Sequence, residues 1–126
     1  MNLLKHAARF ATVGACLLAM LVVAPSAEAR PKYKSEFQKL YPDLVKKLGK
    51  TKVGCNVCHP KTEKSKKKRN DYGVALTKIL GKKNETDVAK IKMALEKVAK
   101  EKNKASEVFG DKIKAGKLPG GEKAAN

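Results

Sequence analysis

The stretch GCNVCHP, Gly54–Pro60, sets two cysteines three positions apart, with a histidine directly after the second. Placed on a helical turn, Cys55 and Cys58 stand at i and i+3, and His59 at i+4 from Cys55, so all three share one face. Two thiols and an imidazole side by side can bind a metal ion, close a disulfide, act as a redox dithiol or attach a larger planar group. The rest of the chain narrows that choice.

The N-terminus has the layout of a secretory leader. MNLLKHAAR carries Lys5 and Arg9 and no acid, Phe10–Ala24 carries no charge, and Ala27 and Ala29 give a small-x-small cleavage pattern. Cleavage is expected after Ala29, so 1–29 is a removed signal peptide. Its apolar run is shorter than the roughly 20 residues that a spanning helix needs. Cys16 sits inside that run, where a lipid-modified cysteine would not be, and leaves with the leader. Export places the mature protein in the periplasm or outside the cell.

Removing the first 29 of 126 residues leaves 97, and a net charge of about +16, since only Lys5, Arg9 and Glu28 are lost from a formal +17. A chain so basic is drawn to acidic proteins and to anionic membrane or wall surfaces. Export argues against nucleic acid as a partner in vivo. There is no tryptophan, and the mature aromatics are Tyr33, Phe37, Tyr41, Tyr72 and Phe109. So small an apolar inventory favours folding around something else.

No strand alternation is visible, and the expected class is all-α. Ser35 offers a cap with Gln38 three residues on, Pro42 suits a first helical position, and Gly49 a stop. One bent helix or two short ones would bury Phe37, Leu40, Leu44 and Leu48. Asn70 caps a helix that carries Tyr72, Leu76, Ile79 and Leu80 and ends at Gly81. The longest helix is expected from Asn84, with Glu85 and Asp87 at its positive end and Val88, Ile91, Leu95 and Val98 in one stripe. A last short helix is expected from Ser106 to Gly116. The domain runs over 30–118, and 119–126 reads as a flexible tail, with Leu118 and Pro119 able to fold back.

The alternatives for the cysteine pair can now be weighed. A structural zinc site needs four ligands, and the mature chain has two cysteines and one histidine. A thioredoxin-like dithiol belongs beside a βαβ pattern, which is missing. A Cys55–Cys58 disulfide would close a tiny loop and stabilise little. A planar macrocycle with two vinyl arms, in contrast, can take two thioether bonds from one turn while the next residue offers a nitrogen to its iron. C-x-x-C-H is the attachment pattern for a c-type haem.

With CNVCH in a small, exported, helical, lysine-rich chain, the sequence resembles the monohaem c-type cytochromes. The resemblance is close over Gly54–Pro60 and looser elsewhere. It implies a small helical domain wrapped around one covalent haem c, held by Cys55 and Cys58, with His59 as proximal iron ligand. It also implies an electron carrier and not an enzyme, serving acidic redox partners.

The distal ligand departs from that pattern. Met93 is the one methionine outside the leader, and so the candidate. On an ideal helix it points about 140° from Val88, whereas the apolar stripe centres near −50°. Either that helix presents Met93 to the haem with its second face, or the sixth position is open or filled by water, lysine or another group. An open position would make the protein a haem module for small ligands, a sensor or a weak peroxidase. Lys61, Lys64, Lys66, Lys67, Lys68 and Arg69 follow the motif and could form a basic rim for acidic partners. Tyr72 or Asn70 could reach a haem propionate, or serve as core aromatic and helix cap.

Overall fold

The computed structural model describes residues 29–62, 67–81 and 84–121, with side chains from 31 onward. Residues 1–28 of the expected leader, with Cys16, and residues 122–126 lie outside the described residues, while Ala29, the last residue of that expected leader, is the first of α1. Five helices make up the fold: α1 (Ala29–Leu40), α2 (Pro42–Leu48), α3 (Asp71–Leu80), α4 (Val88–Val98) and α5 (Phe109–Lys114). Among the described residues there is no strand, only an isolated bridge between Lys102 and Val108. The chain is all-α, and none of these helices is long and apolar enough to cross a membrane.

The chain bends between α1 and α2 at Tyr41, as the residue before a proline tends to. Pro42 then opens α2, where its missing N–H costs nothing. Ser35, expected to cap, lies inside α1 instead. Gln38 uses its amide to donate to the carbonyls of Lys50 and Val53, tying α1 to the approach of the cysteine turn. Phe37 and Leu44 are buried, while Leu40 and Leu48 pack half-buried against the core.

Two helix starts fall later than expected, for a common reason. Asn84 has φ +58 and Ser106 φ +64, left-handed values that no helical residue adopts. Asp87 caps α4 by accepting from the N–H groups of Ala89 and Lys90, at 2.9 and 3.3 Å. The buried Glu85 carboxylate takes the N–H groups of Thr86 and Asp87. Val108 precedes α5 without a side-chain cap, and Phe109 and Gly110 bond back to the carbonyls of Glu101 and Ala99.

The core lies between α1, α3 and α4, with Phe109 and Ile113 of α5 closing one end. Tyr72 sits between Phe37 and Phe109, edge-on to both, at centroid distances of 5.9 and 5.2 Å. Past α5 the chain does fold back. Pro119 is fully buried, and Gly120 lies so close to the Asn70 amide that no Cβ would fit. The tail expected from 119 therefore begins no earlier than 121.

Candidate functional site

Cys55–Val57 forms one tight 3₁₀ turn. The His59 N–H closes it with a 3.0 Å bond to the Cys55 carbonyl. That i to i+4 bond brings His59 onto the face of Cys55. Both cysteines are free, Cys55 exposed and Cys58 half-buried. The turn is entered through Gly54, whose N–H donates to the Asn56 side chain at 3.2 Å. It is left through the buried Pro60.

Three contacts hold the turn against α3. The Asn70 amide donates to the Val57 carbonyl at 3.1 Å, and its oxygen accepts from the Gly73 N–H at 3.0 Å. One side chain thus caps α3 and clamps the turn. The Asn70 N–H donates to the Cys58 carbonyl at 3.0 Å. Gly73 lies directly against that carbonyl: a Cβ there would come within 2.3 Å of its oxygen. Sequence reasoning named Asn70 as a cap but missed the clamp, and it missed Gly73. A glycine in the middle of a helical pattern was the signal available, since it often marks a close approach.

The imidazole is oriented from outside the turn. His59 Nδ1 lies 2.6 Å from the Lys68 carbonyl oxygen. A carbonyl can only accept, so Nδ1 carries the proton. In the neutral ring that leaves the lone pair on Nε2, the tautomer a metal-ligating histidine requires. Cys58 is a poor candidate for thiolate chemistry. Burial pushes the Cys58 thiol up to about 12, with the Arg69 charge pulling it down and Cys55 pushing it up. Reactive dithiols run the other way, below their ordinary value.

The triplet borders two hollows. One, of about 240 Å³, has walls from Phe37, Val53, Val57, Leu76 and Leu95, with Cys55, Cys58 and His59 at its edge. The other, of about 460 Å³, carries Lys34, Lys50 and Lys61 around Cys55 and His59. An apolar floor, two free thiols and a nitrogen donor with the correct tautomer fit a flat apolar cofactor attached through sulfur. A groove of about 680 Å³ between α3 and the 101–104 loop contains no cysteine or histidine and mixes Asp71, Glu101 and three lysines. It offers no comparable chemistry.

Two candidate residues are placed elsewhere. Met93 is 54% exposed and lines neither hollow. Turning α4 to aim it inward would expose Ile91, Leu95 and Val98, at about 1.5–3 kcal/mol each. Tyr72 is buried in the core. Its hydroxyl has no hydrogen-bond partner in the structure, and burial holds its pKa far above the ordinary range, with Cys58 and Tyr41 adding to the shift. The Asn70 amide is fully used within the fold, which makes it a cap and clamp and leaves nothing for a propionate. Of the expected basic rim, Lys61 lies at the site, while Lys64 and Lys66 fall outside the described residues.

Compared with known proteins, the chain matches no family model, no curated protein and no solved structure. The case for its function is carried by this geometry alone.

Proposed function

We propose that this is an exported electron-transfer protein in which Cys55 and Cys58 hold one haem c through thioether bonds and His59 Nε2 binds its iron. The observation that carries the proposal is the 2.6 Å contact from His59 Nδ1 to the Lys68 carbonyl, made in a turn that also presents two free thiols. Bound there, the haem supplies a ferric–ferrous couple. The chain's own residues do the rest. Asn70 and Gly73 fix the turn, the Lys68 carbonyl sets the imidazole tautomer, and Phe37, Leu76 and Leu95 keep water from the inner wall. Lys34, Lys50 and Lys61 steer acidic redox partners toward the exposed Cys55 edge, which makes association salt-dependent.

The test is to export the full chain in a host with haem-attachment machinery. Reduced bands of a c-type haem that survive acidic organic extraction are expected, and Cys55→Ala with Cys58→Ala should lose them. The double variant should also be poorly structured, because the hollow loses its filling. A chain that never acquires covalent haem under these conditions refutes the proposal. Reoxidation by an acidic acceptor protein, slowing steeply with salt, is the expected sign of electron transfer.

A further inference from the structure

On the basis of the haem reading above, we infer that the iron's sixth position receives no side chain of this protein and stays open to a neutral diatomic ligand such as carbon monoxide. The chain's inventory of iron donors is short. Thioether sulfur and imidazole nitrogen are the side-chain donors that usually complete a six-coordinate c-type haem. Outside the leader the sequence holds one of each, Met93 and His59, and His59 is already committed.

Met93 is turned away from the site. Leu95, two positions along α4 and about 200° around it, lines the apolar hollow and is buried, whereas Met93 is 54% exposed on the opposite side. Ile91 and Val98 are as fully buried as Leu95, so α4 is locked in this rotation. Among the described residues at the hollows, neither Tyr33 nor the three lysines is a good substitute. The Tyr33 hydroxyl accepts the Glu85 N–H at 2.7 Å and is drawn to the start of α4. Lys34, Lys50 and Lys61 would have to give up a proton before binding iron, which makes them poorer donors than a thioether or an imidazole. Lys34 and Tyr33 also line the apolar hollow, but most of its wall, Phe37, Val53, Val57, Leu76 and Leu95, offers no hydrogen bond. Such a wall suits a small neutral ligand better than a polar substrate.

The experiment uses the full chain, exported and loaded with haem, as wild type, Met93→Ala and Lys34→Ala. Ferrous visible spectra are recorded with and without carbon monoxide. Expected is a shifted, intensified Soret band on adding carbon monoxide in all three proteins, at one common midpoint. A wild-type spectrum that ignores carbon monoxide overturns the inference. If only Met93→Ala then gains the shift, the thioether is the ligand; if only Lys34→Ala does, the amine is. Indifference in all three overturns it equally, through a donor elsewhere. Loaded protein blind to carbon monoxide leaves the haem reading standing, whereas absence of covalent haem removes both.

Discussion

The turn at Cys55–His59 and the outer face of α4 carry the same kind of residue, a side chain able to bind iron, yet the fold treats them oppositely. At the turn, contacts from distant segments converge: Asn70 on Val57, Gly73 on Cys58, and the Lys68 carbonyl on His59. On α4, Met93 stands in solvent and lines neither hollow. Among the described residues, preorganisation is thus built on one side of the site. With haem held as proposed above, Met93 could be recruited to its iron only at the expense of the α4 packing.

The largest effect is expected at Gly73. By helix propensity alone, Gly73→Ala should stabilise α3 by about 1 kcal/mol. The new Cβ would instead meet the Cys58 carbonyl oxygen, a backbone atom, at 2.3 Å. Forcing the turn off α3 should cost about 3 kcal/mol or more and reduce haem incorporation. Urea unfolding of the loaded protein measures it. A more stable Gly73→Ala protein would show that the turn is not clamped here.

Asn70→Ala comes next. It removes a helix cap, worth about 1 kcal/mol, and leaves the Val57 carbonyl without its amide donor, at about 1–3 kcal/mol. A loss of about 2–4 kcal/mol is expected in the same assay. Asn70→Ser sharpens the result: it keeps a cap acceptor for Gly73 without adding a buried charge and loses the amide donor to the turn. If Ser and Ala behave alike, the clamp matters more than the cap.

These contacts also show what the sequence could reveal. The triplet was legible because its chemistry lies in side chains at fixed spacing. So was α3, where Asn70 and Gly81 punctuate an apolar pattern, with Gly81 at φ +70. The support of the triplet was not legible, because a backbone carbonyl such as that of Lys68 has no residue signature. The start of α4 failed differently. Asn84 and Asp87 are equally good caps locally. The choice between them is made by the Glu85 carboxylate and by the Tyr33 hydroxyl, which takes the Glu85 N–H from 52 residues away. The direction of Met93 followed from helical periodicity. Whether α4 offered a second buried face depended on its neighbours.

Tyr72 tests whether the core beside the turn serves stability or the cofactor. Its hydroxyl is buried and without a partner, a desolvation penalty of about 1–3 kcal/mol. Tyr72→Phe keeps both edge-on ring contacts and removes the orphan group. A protein unchanged or stabilised by up to about 1 kcal/mol is expected, with the reduced spectrum unaltered. A destabilised protein, or one with a shifted potential, would mean that the hydroxyl is satisfied once the haem is bound.

The smallest effect belongs to Met93, and it is the most informative because it is small. A surface substitution away from special features stays within about 0.5 kcal/mol, and Met93→Ala should do so. Leu95→Ala, two residues along the same helix, should cost about 2–5 kcal/mol. Propensity barely differs among these residues, so the contrast isolates the difference between the two faces. A methionine bound to iron could not behave this way, because its loss would cost stability in the loaded protein. A near-zero effect of Met93→Ala on the loaded protein therefore removes Met93 as an iron ligand without any spectroscopy.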